Sequence, residues 1–326
     1  MKNCARVATI GASFLKFRKN RTVCQNHFNG KIDSPAIASR ALNSTEIAQL
    51  KYRSNQNLMS TDILAAWDFS KNIKSMTISD VSSNRINGQI VNMPVRGMTG
   101  WNWDGEEMNW SHAPNQYGAI HFHDDDVHDA GWEVDVTLKI PKNLKSGLYA
   151  ARLRCGSDLE EEDYVPFAVL PPKGKATAKI CFLLPTASYM AYANEHMGTD
   201  SPIAQLLAGR LVEHQHQDLY RNEHREYGPS CYDVHTDGSG VCYSSRLRPI
   251  LNMRPKYKSW LGGEGSTLWQ FNADTHIINW LEAMKYDYDV ITDEELHYEG
   301  VDCLEPVSYT HLRAHETREE RVLRGL

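Results

Sequence analysis

The stretch AKICFLLPTASYMAYANEH, Ala178–His196, decides the fold. Lys179 to Leu184 is a near-continuous apolar run, as expected for a strand covered on both faces, where neither side meets water. Pro185 has no N–H to donate to a ladder, so the strand must end there. The TASYMAYANE that follows falls in the loop region after a parallel strand, where open α/β sheets place their chemistry. Ser188, Tyr189 and Tyr192 lie in it, and Tyr232 lies in a second loop-like stretch, CYDVHTDGSGVCYSS, Cys231–Ser245.

Downstream of this strand the signals alternate between helix and strand, which implies a partial α/β domain with a parallel sheet over 173–306. SPIAQLLAGRLV, Ser201–Val212, predicts a helix with Ser at the cap and Pro in the first turn. Asp274 can cap a second helix over HIINWLEAMKY, His276–Tyr286. YDVIT, Tyr288–Thr292, reads as a short strand, and Thr292 with Glu295 forms a capping box for DEELHY.

Upstream, residues 61–172 read as a β-sandwich. AAWDFS, GAIHFH, WEVDVTLKI, GLYAARLR and YVPFAVL are short alternating runs separated by turn residues, with KNLKSG, Lys142–Gly147, as a hairpin connection. HFNGKIDSPAIASRALNSTEIAQL, His27–Leu50, resembles the closing strand and short helix of a laminin-G or concanavalin-like sandwich, so 1–60 is expected to be the C-terminal remnant of one. PVSYTHLRAHETREERVLRGL, at the other end, resembles an adapter-derived tail; residues 307–326 break the preceding pattern with a charged run and are set aside.

Composition narrows the function. The chain has 326 residues, 41% hydrophobic and 23% charged, which are globular values. A net charge of −6 supplies no basic stripe and argues against nucleic acid. Seven scattered cysteines without a CxxC pair fit a reducing compartment, so a cytoplasmic location is expected. No apolar run reaches the roughly 18 residues that a membrane span needs.

Several clusters compete for the chemistry. His121 and His123 would share one face of a strand, beside Asp124, Asp125, Asp126 and His128, and imidazole with carboxylate is a reasonable ligand set for zinc, iron or manganese. The plainer reading is an acidic loop whose histidines are hydrogen-bonded inside the sandwich. His214, His216 and His224 read as a solvated polar segment, because positions two apart on a helix point to nearly opposite sides. DGSG, Asp237–Gly240, lacks the Lys and Ser/Thr of a phosphate loop and reads as a tight turn. The tyrosines offer phenolate, a hard anionic donor for a Lewis-acidic iron, although tyrosines also pack in cores.

Longer stretches then resemble one family. LLPTASYMAYANEH, YDVHTDGSGVCYSSRLRPILNMRP and WQFNADTHIINWLEAMKYDYDVITDEELHYEG are similar to the C-terminal domain of the N,N-dimethylformamidase large (beta) subunit. NMPVRGMTGWNWDG, YGAIHFHDDD and DAGWEVDV resemble the β domain before it, so the likeness runs over roughly 63–306. The resemblance implies an amidohydrolase that splits small N-substituted formamides into formate and amine. It also implies a mononuclear ferric iron held by two tyrosines and a glutamate in a glutamine-amidotransferase-like α/β domain, and association with a small helical subunit in an oligomer. Carried onto this chain, the phenolate ligands are Tyr192 and Tyr232, with Tyr189 in reserve, and Ser188 orients substrate. The carboxylate ligand is expected beyond Pro306; His315 and Glu316 imitate its motif without the proline or tyrosine. These 326 residues alone are therefore expected to be inactive and to hold iron weakly or not at all. The alternative from another class is a non-catalytic β-sandwich that binds carbohydrate or protein and carries a packing α/β domain.

Overall fold

A computed structural model describes residues 7–18, 21–51, 60–157, 161–196, 214–259, 270–300, 303 and 309–312. Its contacts group into two units, 1–128 with 235–243, and 129–234 with 244–326. The predicted Ser201–Val212 helix lies outside the described residues.

The first unit is almost entirely β. Strands β1 (Ser13–Arg18) and β2 (Arg21–Gln25) form an antiparallel pair. Next come β3 (Gly30–Asp33), β4 (Ala36–Ala38), helix α1 (Ser44–Lys51), β5 (Ile63–Asp68), β6 (Thr77–Asp80), β7 (Gly88–Gln89), β8 (Val95–Met98) and β9 (Ala119–Phe122). They make one sheet of order β3-β9-β8 and another of order β4-β5-β6-β7. Alternation decides which side chains go inward: Ala65, Trp67 and Phe69 along β5 and its end pack with Ile78 of β6 and Ile120 of β9, so both sheets share one core. Pairing of β4 with β5 and of β3 with β9 joins residues 30–38 to 63–68 and 119–122 in this one unit. The sequence reading drew its lines after 60 and after 172.

The second unit opens with the antiparallel hairpin β10 (Gly147–Cys155) and β11 (Glu161–Val169). The expected strand over Trp132–Ile140 is not formed. That segment carries no assigned structure, and Trp132, Val134, Val136, Leu138 and Ile140 are all exposed. Its alternation fits a strand with one covered face, but no described strand pairs with it, so Lys142–Gly147 is not a hairpin turn.

Strand β12 (Ile180–Leu184) is the centre of a three-stranded parallel sheet, between β13 (Tyr288–Thr292) and β14 (Tyr309–Leu312). Its apolar run is covered on both faces, as predicted. Phe182 and Leu184 pack with Val290, Phe271 and Ile278, while Cys181 and Leu183 pack with Ile291 and Leu296. Strand β14 lies in the segment set aside above as a tail.

Among the described residues, the unit also holds helices α2 (Thr186–Ala191), α3 (His216–Glu223), α4 (Phe271–Ala283) and α5 (Asp293–Glu299). The Thr292 capping box of α5 is present, with Glu295 Oε2 accepting from Thr292 N at 3.1 Å. Helix α4 starts a turn earlier than expected, after Gln270, and Asp274 is a buried acceptor within it instead of its cap. Apolar Phe271 belongs to the core, and that burial extends the helix past the local capping signal. No described helix is long and apolar enough to cross a membrane.

Candidate metal centre and its surroundings

The strand-to-loop transition at Pro185 leads straight into α2, so Ser188 and Tyr189 sit within the helix and Tyr192 caps its C-terminus. Ser188 and Tyr192 are one helical turn apart, and Tyr192 N donates to Ser188 O at 3.0 Å. The chain returns to this place after Gly228. Cys231 N donates to Ala191 O at 2.9 Å, and the Asp233 carboxylate accepts from His196 N at 3.0 Å and Ser230 N at 2.9 Å. These bonds hold 230–233 against 191–196. Between them the Tyr192 and Tyr232 rings stack, with centroids 4.0 Å apart and planes 15° from parallel.

Two buried groups, neither singled out by sequence, fasten this junction. Arg248 donates to Ala193 O at 3.3 Å, Pro229 O at 2.9 Å, Tyr227 O at 3.1 Å and Ser245 O at 3.1 Å, so one guanidinium ties the segments around both tyrosines. Burial pulls its pKa down to about 10, so at neutral pH it remains a cation. Asn252 Nδ2 donates to Tyr192 O at 2.7 Å and to Glu195, whose other carboxylate oxygen accepts from Ser259 Oγ at 3.2 Å. Glu195 is buried, and that burial, opposed by the Arg221 charge, pushes its pKa up to about 7. Both groups escape a sequence reading because charged side chains are presumed to be at the surface.

Tyr189 is placed differently. It is buried in the α4 core and donates to Asp274 Oδ2 at 2.6 Å. A phenol already committed to a carboxylate fits a structural post better than a metal ligand. The polar segment read as solvated is also half-internal: Asp218 and Arg221 of α3 are buried, pair with each other, and Asp218 accepts from the Tyr257 hydroxyl at 2.6 Å. A cavity of about 980 Å³ runs along the Tyr189 and Met190 side of α2, past Phe167, Phe271 and Thr292; neither Tyr192 nor Tyr232 borders it.

In the first unit, the glycine turn expected at Asp237–Gly240 is formed. Gly238 has φ +83°, which a side chain would resist, and His235 N donates to Ser239 O at 2.8 Å. This turn delivers Asp237 and Ser239 to His121 and His123. His121 Nε2 lies 2.7 Å from Asp237 Oδ2, His123 Nε2 lies 2.9 Å from Ser239 Oγ, and His123 Nδ1 lies 3.3 Å from Asp126 Oδ2. His235 stacks on His123 with ring centroids 3.6 Å apart and its Nδ1 lies 2.6 Å from Asp125 Oδ1. Asp124 accepts from Thr236 Oγ1 at 3.4 Å. The histidines are hydrogen-bonded within the β unit, as the plainer sequence reading had it, although His235, Asp237 and Ser239 were not foreseen as their partners.

Residues 95–315 match the family described as N,N-dimethylformamidase beta subunit-like, C-terminal. The N,N-dimethylformamidase beta subunit of Paracoccus aminophilus is 46% identical over 291 residues, covering 87% of this chain and 37% of that protein. The beta subunit from an Alcaligenes species is 41% identical over the same length and coverage. The chain thus spans a little over a third of the length of the curated relatives it matches, and it belongs to the N,N-dimethylformamidase beta subunit-like family.

Proposed function

We propose that this chain is part of the large subunit of an iron-dependent amidohydrolase that splits small N-substituted formamides into formate and amine. The observation that carries the reading is the face-to-face placement of Tyr192, at the C-terminal cap of α2, and Tyr232, from the 230–233 segment. Two stacked phenols are a donor set suited to a hard trivalent cation, and Tyr192 and Tyr232 would hold it. Glu195, though only three residues from Tyr192, has both carboxylate oxygens engaged, so a further carboxylate must come from elsewhere. When bound, a ferric ion supplies Lewis-acid polarisation of the formyl oxygen and acidification of a water.

The chain's own residues supply position. Arg248 and Asn252 fix the backbone on either side of the two phenols, limiting how far either ring can swing. Ser188, one turn before Tyr192, offers a hydroxyl that can donate to a substrate carbonyl or accept from a water. A tertiary amide has no N–H, so recognition relies on apolar and aromatic contacts around a single acceptor. The subunit name carried by the relatives supports a partner chain, and a small helical subunit in an oligomeric, cytoplasmic complex fits the reading.

The test is formate release from N,N-dimethylformamide by the full-length subunit co-expressed with its partner, alongside iron analysis. Iron bound without formate release would sink the substrate assignment. Absence of iron together with activity would sink the metal assignment.

A further inference from the structure

We propose a second metal site in the β unit, distinct from the tyrosine pair, in which His121 Nε2, His123 Nε2 and Asp237 Oδ2 bind one divalent first-row transition ion such as zinc. Three observations converge on it. The first is placement: positions 121 and 123 alternate along the end of β9 onto one side, and the glycine turn brings Asp237 to both rings. Asp237 Oδ2 is 2.7 Å from His121 Nε2 and 3.7 Å from His123 Nε2. Donors around a tetrahedral zinc at about 2.0–2.2 Å sit roughly 3.4 Å apart, so Asp237 Oδ2 is within about 1 Å of the spacing needed to each ring.

The second is the tautomer of His123. His123 Nδ1 faces the Asp126 carboxylate, which assigns the ring proton to Nδ1 and leaves a lone pair on Nε2. Ser239 Oγ lies 2.9 Å from that lone pair, while Asp237 Oδ1 accepts from Ser239 N at 2.9 Å. The lone pair thus faces a rotatable hydroxyl that an ion at Nε2 can displace.

The third is the supporting shell. A metal-ligating histidine usually gives its other N–H to a carboxylate, and Asp126 stands in that place for His123. His235 stacks at 2° on His123, is itself fixed by Asp125, and its buried Nε2 makes no hydrogen bond among the described residues. Three carboxylates thus surround three imidazoles in a largely buried setting, which favours an added positive charge. The ion would tie the turn 235–240 to β9, so its role is structural, and the site requires none of the assignments made for Tyr192 and Tyr232.

The experiment is titration of the metal-free 326-residue chain with Co²⁺, read by visible ligand-field bands, and with Zn²⁺, read by calorimetry. One equivalent should bind, with Zn²⁺ displacing Co²⁺. Asp237→Asn keeps the turn's acceptor and the half-exposed position while weakening the ligand, and should lower affinity at least tenfold. His121→Gln should do the same, and serves if the first variant is unfolded by circular dichroism. A Tyr192→Phe/Tyr232→Phe double variant should bind Co²⁺ as the parent does. The proposal is overturned if the folded chain shows neither bands nor heat, if the folded Asp237 and His121 variants bind as the parent does, or if the tyrosine double variant loses the bands.

Discussion

Tyr192, at the C-terminal cap of α2, and Tyr232, from the 230–233 segment, stack with ring centroids 4.0 Å apart and planes 15° from parallel. Replacing either by Phe keeps the ring and removes only the oxygen. In the full-length protein, Tyr192→Phe or Tyr232→Phe should abolish tyrosinate-to-iron absorption and lower formate release at least a hundredfold, with the melting temperature little changed. Unaltered colour in both variants would exclude the pair as ligands.

Tyr189→Phe should behave in the opposite way. It takes one hydrogen bond from the buried Asp274 carboxylate, at a cost of about 1–3 kcal/mol, because a buried acceptor loses a donor without gaining water in its place. Urea unfolding should show that loss while the iron absorption persists.

Arg248 links the segments on which both tyrosines ride. Arg248→Met should destabilise the α/β unit by roughly 3 kcal/mol, since several buried carbonyls lose a charged donor together. Arg248→Lys should rescue little of it, because one ammonium cannot span the same forked set of acceptors. Iron affinity should fall in both, measured against the melting temperature of each.

Asp80 sets an acid limit on the β unit. Burial acts to raise its pKa, but bonds from Ala66 N at 2.9 Å, Ser82 N and Oγ at 2.8 Å, and Ile86 N at 2.6 Å outweigh it and hold the carboxyl below its usual 3.8. A depressed folded value means the contribution is fully present above the unfolded pKa and is lost as pH falls through the folded one. Stability should therefore decline below about pH 4. Asp80→Asn should cost about 2 kcal/mol at pH 7 and flatten that acid decline, as read by urea midpoints across pH.

The sequence by itself determined what depends on neighbours along the chain. The run before Pro185 had to be a strand covered on both faces, Thr292 and Glu295 had to cap a helix, and the glycines near 238 had to turn, because each follows from local geometry and side-chain polarity. The roles of Ser188, as a catalytic hydroxyl, and of Tyr189, Tyr192 and Tyr232, as candidate ligands, came from family likeness, with the residues themselves saying only that phenols lie in or beside loops. Tertiary structure alone decided which phenols meet: Tyr192 stacks on Tyr232, whereas Tyr189 turns into the core toward Asp274. It also decided that Arg248, Glu195 and Asp218 are interior, and that Asp237 closes on two histidines more than a hundred residues away. Such contacts are long-range pairings of charge with charge or with carbonyl; no periodicity encodes them, and only the closed chain can satisfy them.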